Sequence, residues 1–149
     1  LKLSVSYPSL DEELEIIARS GQKTPALRPV CTQEQLEAAR GLIPHIKVTE
    51  PLMRYIVALV RATRNPAEVD PSMARSIEFG ASPRASIALS AAARAHAFLD
   101  GRGFALPEDV KAMAPDVLRH RILPTYEAEA DGLDSDQLIA RLLEKVDQP

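Results

Sequence analysis

Apolar positions in this chain recur mostly every three or four residues, with one exception at its start. Leu1, Leu3 and Val5 alternate with Lys2, Ser4 and Ser6, which is the period of a strand. After Tyr7-Pro8, Ser9 and Glu12 make a capping box that opens a helix to about Arg19. Leu14, Ile16 and Ile17 supply its apolar side, and Gly21 follows its end. Residues 21–31 carry two prolines and mixed polarity and are expected to form a loop. Thr32 and Gln35 form a second capping box for a helix to about Leu42, with Pro44 as its stop. Thr49 caps a third helix, which has Pro51 in its first turn. Leu52, Ile56, Leu59, Val60 and Thr63 keep helical spacing as far as Arg64.

Asn65 to Gly80 is a long connection, expected to hold a short helical turn around Ser72 to Ser76. Connections of that length are more often functional than not. The fourth helix is predicted from Pro83 to Asp100, with Gly101 as its terminator and Ala88, Ala92, Ala95 and Leu99 as a face for close helix approach. Phe104-Ala105 is expected to be extended and to pair near Lys47-Val48. Pro107 opens a further helix with Glu108 and Asp109 in its first turn; Pro115 is expected to break or restart it before its end near His120-Arg121. A last helix runs from about Ser135 to Val146 on Leu138, Ile139, Leu142 and Leu143. The pattern predicts an all-α bundle of about five to six helices. Leu1 to Val5 has no partner of matching length and reads as the last strand of a sheet whose remainder is missing.

Composition narrows the picture. The 149 residues suffice for one compact domain without staples. Apolar residues make up 46% and aromatics 4%, with no Trp, so the core must be aliphatic and alanine-rich. The net charge of −3 argues against a nucleic-acid or membrane-surface partner, and no apolar run reaches the length of a membrane span. Cys31 is a lone thiol and fits a reducing cytoplasm. The start at Leu1, without an initiator methionine, reads as a cut from something longer. His45, His96 and His120 are too scattered to suggest a metal site.

The candidate chemistry sits in Gly80-Ala81-Ser82-Pro83-Arg84-Ala85. Ser82 suits the N-cap and Pro83 the first helical position, so both set the helix start and aim Arg84. Arg84 then lies at the positive end of the helix dipole, where a cation is unfavourable unless an anion offsets it. A phosphate there would meet free N–H groups and a guanidinium together. Arg64 ends the third helix, where a cation is favourable, and reads as dipole matching. His120-Arg121 reads mainly as a helix-end cap, and Asp11, Glu12, Glu13 and Glu15 as a solvated face.

These residues resemble the MoxR family of AAA+ ATPases. Gly80 to Ala85 is similar to that family's sensor-2 motif. Tyr7-Pro8 and the acidic helix after it resemble its exit from the AAA+ core. Tyr55 to Val60 with Thr63-Arg64, and Gly101 to Val110 with Val117 to Arg121, are similar to two further signatures. Leu106 departs from the pattern, where the family has a small capping hydroxyl. The resemblance implies that residues 1–8 are the last core strand and exit loop, and that 9–149 are the helical lid. It implies Arg84 as the sensor-2 contact to the phosphates of ATP, and a place for Tyr7 and Pro8 near the adenine pocket. ATP and Mg would be cofactors of the full-length protein, with none expected on the fragment. Its partners would be its own AAA+ core, neighbouring subunits of a ring, often hexameric in the family, and proteins with von Willebrand factor A domains. Its work would be chaperone-like remodelling or maturation.

No G-x-x-x-x-G-K-[ST] run is present, nor an apolar strand ending in paired acidic residues, so this piece alone is not expected to hydrolyse ATP. Two other readings compete. A non-enzymatic helical adaptor would bind partners through the alanine-rich face. A helix-turn-helix DNA binder would use the fourth helix, which carries few base-reading side chains on one face.

Overall fold

The computed structural model describes residues 1–23 and 26–149. Seven α-helices are present among them: α1 (Leu10–Arg19), α2 (Gln33–Leu42), α3 (Glu50–Ala62), α4 (Pro83–Leu99), α5 (Pro107–Leu118), α6 (Tyr126–Ala130) and α7 (Ser135–Lys145). The all-α expectation holds. A two-stranded antiparallel ribbon of β1 (Ile77–Phe79) and β2 (Leu123–Pro124) is added to it. Pro25, part of the expected loop, lies outside the described residues.

The capping residues set the helix starts. Ser9 with Glu12, Thr32 with Gln35, and Asp134 with Gln137 form complete capping boxes, and Thr49 accepts from the Leu52 N–H. The core assembles between Ile46 and Val146, from α3, α4, α5 and α7. α1 and α2 bury no residue. At the centre, Ala85, Leu89, Ala93 and Ala97 are fully buried every fourth residue along α4, and Ala81, just before the helix, is fully buried too. Small side chains there let α3 and α5 approach closely. Lys47 bridges Phe104 as expected, through Lys47 N–H to the Gly103 carbonyl (3.0 Å) and Ala105 N–H to the Lys47 carbonyl (2.9 Å).

Several expectations are corrected. Leu1 to Val5 join no ladder among the described residues, which does not test their expected place as the last strand of a core sheet, since a ladder needs a partner edge; here their backbone is tied through Lys2, from its N–H to the Asp116 carbonyl (2.9 Å) and from Arg119 to its carbonyl. The fully buried face of α4 is Ala85, Leu89, Ala93 and Ala97; of the expected stripe, Ala88 and Ala92 pack against the core partly buried, and Leu99 is exposed. Alanines surround α4 on every side, so only the branched Leu89 distinguishes the inner face. Pro115 lies inside α5 without breaking it. An interior proline costs about 3 kcal/mol, and burial of Ala114, Val117 and Leu118 exceeds that. The connection after α3 holds two 3-10 turns, Pro66–Glu68 and Pro71–Met73, and then β1.

The C-terminal end of α4 is closed by a Schellman turn. Gly101 has φ 73°, its N–H donates to Phe98, and the Arg102 N–H donates to Ala97, both at 2.9 Å. That turn brings Arg102 onto Asp109, whose side chain is fully buried. The guanidinium donates to both carboxylate oxygens (2.8 and 2.5 Å), the Leu106 N–H donates to one (2.7 Å), and His96 Nδ1 lies 2.7 Å from the other. Leu106 offers no side-chain cap, so Asp109 supplies the reciprocal half of a capping box for α5. Burial pushes the Asp109 carboxyl up, but the bonds from Arg102, Leu106 and His96 outweigh it and hold the pKa at about 2.

An Asp109 pKa below its unfolded value means stability that is complete above the unfolded pKa and is lost as pH falls through the folded one. Urea denaturation should show this contribution fading between about pH 4 and pH 2. Asp109→Ala should cost about 3 kcal/mol at neutral pH, the low end for breaking a buried pair, because Arg102 can turn to water. The same variant should lose that part of the acid dependence.

Candidate functional site

The N-terminal end of α4 is the reverse of its sealed C-terminal end. Pro83 occupies the first helical position and Arg84 the second, and both are exposed. The Arg84 guanidinium has no hydrogen-bond or ion-pair partner among the described residues. Its backbone N–H likewise has no acceptor there. Ser82 has the backbone geometry of an N-cap but makes no side-chain cap bond, which corrects the expected role of its hydroxyl. The Ala85 N–H turns instead to the Ser82 carbonyl (2.8 Å), so the first turn closes without the side chain. A cation and a backbone donor therefore stand together at a helix start with no hydrogen-bond or ion-pair partner among the described residues.

What fixes this helix start lies in α3. Thr63 is fully buried at the α3 C-cap. Its hydroxyl donates to the Val60 carbonyl (2.7 Å) and accepts from the Ala81 N–H (2.8 Å). Gly80 lies flat against the same residue. A Cβ there would overlap the Thr63 carbonyl oxygen and stand 2.6 Å from both its carbonyl carbon and Arg64 Cγ. Only glycine allows this approach. Thr63 and Gly80 were quoted in the sequence motifs, but their mutual contact spans residues too distant for local pattern to reveal.

The other candidates lie elsewhere. Tyr7 and Pro8 are exposed and line an open groove of about 440 Å³ with Ser6, Glu12, Glu15, Ile16 and Arg19; Arg84 is not part of it. One turn past Arg84, Ser86, Ile87 and Ser90 face Met53 and Val57 of α3 across a mostly apolar groove of about 620 Å³. Ile87 is 72% exposed there, which is high for a large aliphatic side chain flanking a groove. Arg121 donates to the Val117 carbonyl, the helix-end capping expected of it. Burial, then the neighbouring Arg121, pushes the His120 pKa down.

His96, Asp100 and Asp109 bring three ligand atoms within 4.8 Å of one another. The Arg102 guanidinium already occupies that cluster, bonded to Asp109 and to Asp100 (3.0 Å). A divalent cation would have to displace a charge-assisted pair and then sit beside a fixed positive group. This is a structural ion-pair network; sequence reading missed it because His96 and Asp109 meet only across the α4–α5 turn.

Comparison with known proteins gives a consistent set. Residues 72–142 match the family model described as the AAA lid domain. The chain is 40% identical over 149 residues to Chaperone MoxR1 of Mycobacterium tuberculosis, covering 99% of this chain and 40% of that protein. It is 39% identical over 102 residues to Protein MoxR of Paracoccus denitrificans, covering 64% of this chain and 30% of that protein. The crystal structure of a candidate ATPase from Cytophaga hutchinsonii superposes with a TM-score of 0.87 at 38% identity, over 96% of this chain and 44% of that one. The chain thus spans less than half the length of each of these proteins.

Gly80→Ala should destabilise the chain by about 1–3 kcal/mol in urea denaturation, because the added methyl meets backbone that cannot yield. Zinc added to the protein should leave its thermal midpoint unchanged; a rise of several degrees would mean that the Arg102 network opens to metal.

Proposed function

We propose, for a chain that belongs to the MoxR family of AAA+ ATPases and forms its helical lid, that Arg84 is the lid's contact to the phosphates of ATP held by a separate core. The observation that carries this reading is an exposed guanidinium at the start of α4 with no anionic partner among the described residues. Phosphate oxygens would satisfy the side chain, the Arg84 N–H and the helix dipole at once. The rigid seating of the helix start supports the same reading, since a preorganised donor loses little on engaging charge.

In this reading the lid closes over nucleotide, and loss of the γ-phosphate releases it. The apolar groove beside Arg84 suits coverage by the core as the lid closes. Mg would be held by the core's acidic residues and would neutralise phosphate charge alongside Arg84. The ring partners, von Willebrand factor A domain clients and chaperone-like output belong to the same proposal. It is supported by the relative named a chaperone. Tyr7 and Pro8 would lie toward the adenine, on the exposed segment leading into α1. The cytoplasm remains the proposed location; no helix among the described residues is long and apolar enough to cross a membrane.

Arg84→Ala in the complete ATPase should lower ATP turnover by roughly tenfold or more, the scale of losing one charge-stabilising contact. The isolated chain carrying the same substitution should melt at the parent temperature or slightly above it, since an unpaired cation leaves the positive end of a helix. Parent-level turnover would remove Arg84 from the mechanism.

A further inference from the structure

We infer that Thr63 is a positioning residue for Arg84, acting through a hydroxyl latch that joins the end of α3 to the start of α4. This inference rests on the reading of Arg84 given above. Thr63 is fully buried, yet its hydroxyl is spent on a contact 18 residues away in sequence. The proton goes to the Val60 carbonyl, inside α3's last turn, which leaves the oxygen lone pairs facing Ala81. The Ala81 N–H fills one of them at 2.8 Å. Ala81 is itself fully buried, so its N–H has no access to water and the threonine is its acceptor.

The consequence reaches Arg84 through four consecutive residues of nearly fixed geometry. Gly80 is pressed on the Thr63 carbonyl, Ala81 is hydrogen-bonded, Ser82 is extended (φ −76°, ψ 168°), and Pro83 has a locked φ. The Ser82 hydroxyl plays no part in holding the helix start. The work of aiming Arg84 therefore falls to α3. A core-packing role would be met equally by valine, which has the same shape. Only the hydrogen bond requires oxygen at this position.

Two measurements test the latch. The first compares ATP turnover by the complete ATPase as the parent and as T63V, T63S, R84A and T63V/R84A. T63V should lower kcat by roughly tenfold, because small displacements of a positioned group cost that much or more. T63S, which keeps the hydroxyl, should recover most of the rate. On the R84A background T63V should change kcat less than about twofold, since the residue acts through Arg84. Parent-like kcat in T63V, or T63V multiplying the R84A loss, would overturn the latch while leaving Arg84 in place. A parent-like R84A would overturn the Arg84 reading, and the latch's role with it. The second is amide hydrogen exchange in this chain. T63V should speed exchange at Ala81 by at least about tenfold while Leu118 and Leu142 keep parent rates. An unchanged Ala81 rate would overturn the latch whatever the turnover shows.

Discussion

The column of Ala81, Ala85, Leu89, Ala93 and Ala97 is the constraint on which the rest of the structure depends. Each of these residues is fully buried, and α3 and α5 pack against α4, which carries all of them but Ala81. Small side chains at every fourth position allow close approach, and a core with few aromatics has little else to fill it. Both ends of α4 are then pinned. At one end Gly80 and Thr63 hold the start against α3. At the other, the Schellman turn delivers Arg102 to Asp109 and so to α5. A helix fixed at both ends moves as part of a rigid body, and the exposed Arg84 at its start moves with it.

Charge is handled differently at the two ends. The buried carboxylate of Asp109 is met by Arg102, His96 and a backbone N–H, so its ionised form is stabilised in a dry place. Arg119 acts similarly at the far end of α5, bonding to Asp116 and to Asp136 of α7; those bonds raise its pKa. Arg84 has no such partner among the described residues. What sets Arg84 apart from the other exposed arginines is its place at the positive end of a helix, where a cation is unfavourable without a nearby anion.

Six of the seven helices among the described residues were legible because their starts are written locally; the five-residue α6 was not. Ser9 with Glu12, Thr32 with Gln35, and the Thr49 cap each act within three residues. The Lys47–Phe104 bridge was legible from two short extended pieces of matching character. Features that depend on distant partners were not. Leu1 to Val5 alternates like a strand, but alternation states only a readiness to pair. β1 and β2 form because Thr125 and Ser76 bring their segments together, and neither segment signals this alone. The inner face of α4 was legible only in part, through Ala88 and Ala92, because alanine on all sides gives little hydrophobic contrast. The place of Arg84 in the first turn of α4 was legible from the Ser-Pro helix start, whereas the Thr63–Ala81 bond beside it was invisible until the chain folded.

The central claim is that a positive side chain held rigidly at the start of α4 meets phosphate oxygens supplied by another module. Its most direct test is a structure of the complete ATPase with a non-hydrolysable ATP analogue, measuring the distance from the Arg84 guanidinium to the nearest phosphate oxygen. The account predicts a direct contact of about 2.7–2.9 Å, the range of a charge-assisted bond. An Arg84 turned to solvent, or paired with a carboxylate while the nucleotide is bound, would contradict it.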